Sequence, residues 1–285
     1  MIKGAFLNLF DFDFSKEKGS SNLIFFDTET TGNGKDDEII QIGAIVEDLN
    51  GNLIEYFDEL CSSNKLITPE AMVTHGIRNE DLINKKPFTK SSFWQKIDSL
   101  NQKQNYFIAH NLPYDLERLK FYGFRPKAKL IDTLQCAKHL FKEDEILGEY
   151  NYPLPNYKLQ TFRYILFSKA EEEAEAKKFG ISLQAHSALS DVIKLKMFFN
   201  ELLQRICNNC SKKEALDQLV ELSTKPVLVE KFKFGKYKGK KISEVMQIDR
   251  SYIEWLYNDM VKRQKNGDKI DENIFLTLKT HLKAY

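Results

Sequence analysis

Leu23, Ile24, Phe25 and Phe26 run directly into Asp27-Thr28-Glu29. Four consecutive apolar residues bounded by polar ones read as a short buried strand. Asp27 and Glu29 stand two apart, so on an extended backbone both carboxylates point to the same side. Two like charges side by side at the end of an apolar strand repel. A divalent cation, which takes several oxygen ligands, is the usual remedy. The other reading is a strand end running into a polar turn at Thr30-Thr31-Gly32.

The residues after this strand predict an α/β domain. Ile39 to Val46 reads as a central strand, Asn50-Gly51 as a hairpin turn, and Leu53 to Leu60 as the returning strand. Three antiparallel strands therefore open the fold. Thr68-Pro69 carries the signature of a helix start, an N-cap threonine followed by proline. Phe93 to Leu100 is amphipathic. Tyr106-Phe107-Ile108-Ala109 and Lys129-Leu130-Ile131-Asp132 read as further short strands, each followed by a helix. A meander followed by alternating strands and helices predicts a mixed sheet flanked by helices. Ser168-Lys169-Ala170-Glu171 is a capping box that opens an acidic helix to about Lys178, read as a solvated face. Val192, Leu195, Phe198, Phe199, Leu202, Leu203 and Ile206 share one face of a long helix.

Length and composition bound the rest. A chain of 285 residues suggests two domains. We expect an extension over 1–21, a catalytic domain over 22–210, a linker helix over 211–224, and a small α+β domain over 225–285. No apolar run approaches the ~20 residues that cross a bilayer, and the first residues lack the pattern of a secretion signal. Four cysteines provide no disulfide framework, which fits the cytoplasm. Cys207 and Cys210 read as helix-end residues, because no second pair of zinc ligands follows. A net charge of +1 means that attraction to a polyanion must come from a local patch.

Three further places carry chemistry. Asp115 lies in the first turn of the helix after His110-Asn111, just beyond the end of a buried strand, where α/β sheets bind ligands. Asp191 opens the long helix within His186-Ser187-Ala188-Leu189-Ser190-Asp191. His186 precedes that helix and can fold over a metal that Asp191 holds. Each residue also has a plainer explanation: Asp115 and Asp191 as first-turn helix-dipole partners, His186 as a hydrogen-bonded loop residue.

Phe26-Asp27-Thr28-Glu29-Thr30-Thr31-Gly32, Thr74-His75-Gly76-Ile77, Ala109-His110-Asn111 with Tyr114-Asp115, and His186-x-Ala188-Leu189-x-Asp191 occur in that order. On these motifs the chain resembles the DEDDh (DnaQ-like) 3′–5′ exonuclease family over roughly residues 22–205. Tyr114 stands where the family often has phenylalanine. The resemblance implies a ribonuclease H-like fold and hydrolysis of phosphodiester bonds from the 3′ end of DNA, releasing nucleoside 5′-monophosphates. It implies two Mg²⁺ or Mn²⁺ ions, with Asp27 bridging them, Glu29 and Asp191 on one and Asp115 on the other. His186 takes the proton from the attacking water. Thr30 and Asn111 touch the terminal nucleotide, and His75 is either a substrate contact or a structural turn histidine.

Between Lys225 and Lys241 lie seven lysines against Glu230 alone, interleaved with Phe232, Phe234 and Tyr237. Ammonium groups meet phosphates and rings stack on bases, so this mixture suits single strands. A small hairpin with an aromatic core and solvated lysines is the alternative. Phe234-Gly235-Lys236-Tyr237-Lys238-Gly239-Lys240 resembles the small C-terminal domain of exodeoxyribonuclease X-like proteins. That resemblance favours DNA and makes Phe234, Lys236, Tyr237 and Lys238 candidate contacts. Gly235 to Lys241 does not have the spacing of a nucleotide-binding P-loop. Leu7-Asn8-Leu9-Phe10 resembles part of a sliding-clamp binding peptide. RNA trimming would share every catalytic residue. A silent nucleic-acid-binding module is the third reading, and the intact acidic set with His186 argues against it.

Overall fold

The computed structural model describes residues 21–34, 36–180, 188–206 and 210–283. Its main sheet contains β1 (Asn22–Thr30), β2 (Ile39–Asp48), β3 (Leu53–Leu60), β4 (Tyr106–Ala109) and β5 (Lys129–Asp132), in the order β3-β2-β1-β4-β5. β1 to β3 pair antiparallel, and β4 and β5 run parallel to β1. This is the mixed sheet that the meander and the alternation after it predict. The helices around it are α1 (Pro69–His75), α2 (Ser92–Leu100), α3 (Leu112–Phe121), α4 (Thr133–Leu140), α5 (Leu159–Leu166), α6 (Lys169–Lys178), α7 (Ala188–Ile206) and α8 (Lys212–Thr224). Thr68 caps α1 by accepting from the Ala71 N–H, with Pro69 in the first turn.

β1 is central because both of its faces are apolar. Leu23 and Phe25 pack on one side against Phe198, Phe199 and Leu202 of α7. Ile24 and Phe26 pack on the other against Phe93 and Ile97 of α2 and Leu119 of α3. Alternate residues of a strand point to opposite faces, so a continuous apolar run needs two covering layers. The rings of Phe25 and Phe199 meet edge to face at 5.2 Å. Burying each such ring contributes about 1.5–3 kcal/mol. α8 packs on β5, α4 and α7, adding Ala215, Leu216 and Leu219 to the α7-side core.

The acidic helix is not the solvated face expected of it. Glu172 is 4% exposed and takes both Nε and Nη2 of Arg163, at 2.6 and 2.8 Å. Glu175 accepts from Lys196 of α7, and Lys196 also faces Glu47 of β2. These partners lie on α5, α7 and β2, where the helix's own composition gives no sign of them. Leaving a buried charge unpaired costs about 3–5 kcal/mol, so Arg163→Ala is expected to lower the melting temperature by several degrees in a thermal scan.

The C-terminal part holds α9 (Ile242–Ile248), α10 (Arg250–Lys265) and α11 (Glu272–Lys283) around Phe232, Ile242, Ile253 and Leu278. Its β-structure among the described residues is one antiparallel bridge between Lys231 and Lys241. Cys61 and Cys136 are free and buried, and Cys210 is disulfide-bonded and so offers no thiolate to a metal. Among the described residues, no helix is long and apolar enough to cross a membrane. The Leu7–Phe10 segment lies outside them.

Candidate active site

Asp27 and Glu29 continue the odd-numbered face of β1 that carries Leu23 and Phe25, so they point toward the α7 side. Only Leu23 to Phe25 pair with β4, and β1 runs on beyond the end of that strand. Across the antiparallel pair, Asp27 stands opposite Gly43 and Glu29 opposite Gln41. Both β2 residues hold the start of α7. A Cβ on Gly43 would come within 2.4 Å of the Leu189 nitrogen and 2.5 Å of the Ala188 carbonyl carbon. Gln41 accepts from the Ala188 N–H at 3.3 Å through Oε1, while its amide donates to Asp58 at 3.0 Å. The helix thus reaches the sheet where there is no side chain to keep it off, and Asp191, one turn in, meets the strand carboxylates. One ligand oxygen from each of Asp27, Glu29 and Asp191 lies within 4.8 Å of the others.

Gly43 was not singled out in the sequence. The signal was there: a glycine inside a strand often marks a close backbone approach. Gly43→Ala is expected to push α7 outward and cost about 1–3 kcal/mol, the range for overpacking a tight site. Nuclease rate should fall with it, measured beside the melting temperature. An alanine variant with wild-type stability would show that the helix has room to spare.

The electrostatics oppose ionisation. Asp115, in the first turn of α3, is 3% exposed, and its Oδ1 accepts from both the N–H and the hydroxyl of Thr28, at 3.1 and 2.6 Å. Burial drives the Asp27 carboxyl well above its ordinary range, helped by the charges of Glu29, Asp115 and Asp191. Glu29 is pushed up to about 8, by burial first and then by Asp191 and Asp115. Burial raises Asp115 to about 7 against the pull of the two Thr28 hydrogen bonds. Lys194, one turn after Asp191, donates to its Oδ1 at 2.6 Å and tempers the Asp27 shift. Gln160 of α5 donates to the same oxygen at 3.1 Å.

A single ammonium does not balance this many carboxylates. Hard, convergent, crowded oxygen donors that resist ionisation on their own fit a hard divalent cation. Asp27, Glu29 and Asp191 would hold it. Asp115 sits beside them with one oxygen committed to Thr28. His186 lies outside the described residues.

Other expected contacts divide by burial. Thr30 is 5% and His75 3% exposed, so neither side chain presents a face to a nucleotide. The Thr30 hydroxyl lies 2.8 Å from both Gly32 O and the Tyr114 hydroxyl. The Ile77 N–H donates to His75 Nδ1 at 3.0 Å, which leaves the proton on Nε2, 3.3 Å from Thr30 O. Both side chains therefore support the end of β1, which for His75 is the structural one of the two readings that the sequence left open. Asn111 is exposed in a left-handed conformation (φ 71°, ψ 45°) at the start of α3. Asp132, at the end of β5, holds it there: its Oδ1 accepts from the N–H groups of Asn111 and Leu134 at 3.0 and 3.1 Å. The sequence reading passed over Asp132, although an aspartate before a helix is an N-cap signal.

In the C-terminal part, Asp249 gathers two of the four candidate contacts. The Tyr237 hydroxyl donates to its Oδ2 at 2.6 Å, and Lys236 lies 3.1 Å from the same oxygen. Tyr237 packs against the local core, and Phe232 is buried within it. Phe234 and Lys238 are exposed.

Comparison with known proteins adds the relationships. A family model described as Exonuclease matches residues 24–196, and one described as Exodeoxyribonuclease X-like C-terminal matches 232–259. The chain is similar to exodeoxyribonuclease 10 of Escherichia coli, with 25% identity over 260 residues, 91% of this chain and 98% of the relative. It is also similar to the 3′–5′ exonuclease DinG of Bacillus subtilis, with 30% identity over 193 residues, 65% of this chain and 18% of the relative. Among solved structures, exonuclease I of Escherichia coli with a dT13 oligonucleotide aligns at TM-score 0.50 and 20% identity, covering 70% of this chain and 43% of that one. Exonuclease X with a 5′ overhanging duplex DNA aligns at TM-score 0.47 and 17% identity, covering 70% and 99%.

Proposed function

The chain belongs to the exonuclease family whose model spans residues 24–196, and from that premise we propose that it hydrolyses DNA from the 3′ end, releasing nucleoside 5′-monophosphates. The observation that carries this reading is the meeting of Asp27, Glu29 and Asp191 within the reach of one ion. The printed descriptions of the exodeoxyribonuclease and 3′–5′ exonuclease relatives support the substrate and the direction.

In the proposed reaction a water oxygen attacks the terminal phosphorus and the bond from phosphorus to the 3′ oxygen breaks. The departing oxygen takes up a proton. Two divalent cations, Mg²⁺ or Mn²⁺, supply charge neutralisation for the phosphate and the leaving oxygen. Asp27, Glu29, Asp191 and Asp115 form the acidic cradle, with Thr28 orienting Asp115. His186 accepts the proton of the attacking water, a task suited to an ordinary histidine pKa of about 6.5. Asn111, exposed at the rim, meets the terminal nucleotide. We assign residues 22–210 to catalysis and 225–285 to holding DNA, with Phe234 and Lys238 presenting an exposed ring and charge.

The test is digestion of matched 5′-labelled DNA and RNA oligomers. With Mg²⁺ or Mn²⁺ the DNA should shorten stepwise from its unlabelled 3′ end, faster than the RNA, and chelator should stop it. Intact oligomers under both metals would end this reading, and faster loss of RNA would reassign the substrate.

A further inference from the structure

We propose that the cavity between α4, the start of α5 and the segment at Lys233 seats backbone phosphates of the DNA strand just behind its 3′ end. The proposal rests on the exonuclease reading and adds where the rest of the substrate lies. The cavity measures about 290 Å³. Three lysines from separate parts of the chain line it: Lys138 from the last turn of α4, Lys158 from the N-cap of α5, and Lys233 from the C-terminal part. Lys233 lies 3.5 Å from Glu143. Lys138 and Lys158 have no ion-pair partner among the described residues. Burial and the nearby Lys233 both weigh against the charge on Lys138, with Asp132 and Asp271 opposing them. Three lysines around one cavity, with Glu143 the one carboxylate in ion-pair reach of them among the described residues, form a positive lining that an incoming phosphate would neutralise.

The floor of the cavity adds no charge. His110 is pushed down to about 4 by burial and so stays neutral. Its Nε2 donates to Tyr157 O at 2.9 Å. Two of the lining residues adjoin residues of the carboxylate site. Leu159 lines the cavity, and the next residue, Gln160, donates to Asp191. Asn111 forms another part of the lining, at the start of the helix that carries Asp115. A polyanion laid across this rim meets ammonium groups along its length and the acidic cluster at its end. Lys233 makes the seat a joint product of both parts of the chain, with none of the four C-terminal residues expected from sequence taking part.

The test is equilibrium binding of a fluorescent single-stranded DNA 12-mer by the full chain, with chelator present so that nothing is cut. Lys138→Gln/Lys158→Gln should weaken binding about 5–10-fold. It should also reduce the slope of log affinity against log salt by about 1.4, since each phosphate contact to a single strand contributes about 0.7. Lys138→Arg/Lys158→Arg should restore both, and thermal scans of both variants confirm folding. Lys103→Gln/Lys127→Gln removes equal charge at the other end of β4 and β5 and should leave the slope unchanged. An unchanged slope in the Lys138/Lys158 variant, or an equal loss in the Lys103/Lys127 variant, overturns the seat. Failure of the exonuclease reading shows separately, as wild-type protein that binds the oligomer and never shortens it with Mg²⁺.

Discussion

Asp27→Asn is expected to abolish nuclease turnover while leaving the metal-free protein as stable as wild type or more so. Asp27 stands among Glu29, Asp115 and Asp191, and burial already drives its carboxyl far above the ordinary range. Asparagine fills nearly the same space without the charge. The neighbouring carboxylates then lose a buried repulsion, and the folded state loses a desolvation penalty. Catalysis loses the acid at the centre of the cradle. Charge stabilisation of this kind contributes several kcal/mol, so the rate should drop about 10³-fold or more at 1.36 kcal/mol per decade. Single-turnover digestion and thermal scans in chelator check both halves. Wild-type turnover in the variant would remove Asp27 from the mechanism. A collapse of stability would mean that its charge is structural.

The second large effect is a pH dependence that Mg²⁺ should reverse. Glu29 and Asp115 titrate near 8 and 7 in the folded protein, against ordinary values of 4.5 and 3.8. A raised folded value means that the native state holds protons that the unfolded chain has released. Stability is then fully present below about pH 4 and is lost as pH rises toward 8. Glu29 alone contributes on the order of several kcal/mol across that window. A divalent cation binds the ionised carboxylates and so favours the form that the apo protein resists. The melting-temperature gain from Mg²⁺ over chelator should therefore grow steadily between pH 5 and 8. Identical pH profiles with and without Mg²⁺ would mean that the cluster does not bind the ion.

Most of the fold was legible because it rests on local signals. The apolar run before Asp27, the Asn50-Gly51 turn and the Thr68-Pro69 start each state their own conformation, and the structure realises all three. The acidic helix was misread because its partners, Arg163 and Lys196, stand on other helices. The burial of Thr30 was equally invisible, since a polar residue at a strand end looks the same whether it faces solvent or a neighbouring ring. Asp132 carries a local N-cap signal, but its hold on Asn111 joins the end of β5 to the start of α3, and neither segment states that by itself.

By itself the sequence determined which groups could react and on which faces they would stand. The spacing of Asp27 and Glu29 sets their common side through the geometry of an extended strand. The first-turn positions of Asp115 and Asp191 aim them from helix starts. Only the tertiary structure decided that these groups meet, because that depends on the bare backbone of Gly43 admitting α7 and on Gln41 holding its first N–H. It also decided that Lys138, Lys158 and Lys233 line one cavity. Side-chain direction is a property of a few neighbouring residues, whereas convergence depends on how distant segments pack, and no short stretch of the chain contains that information.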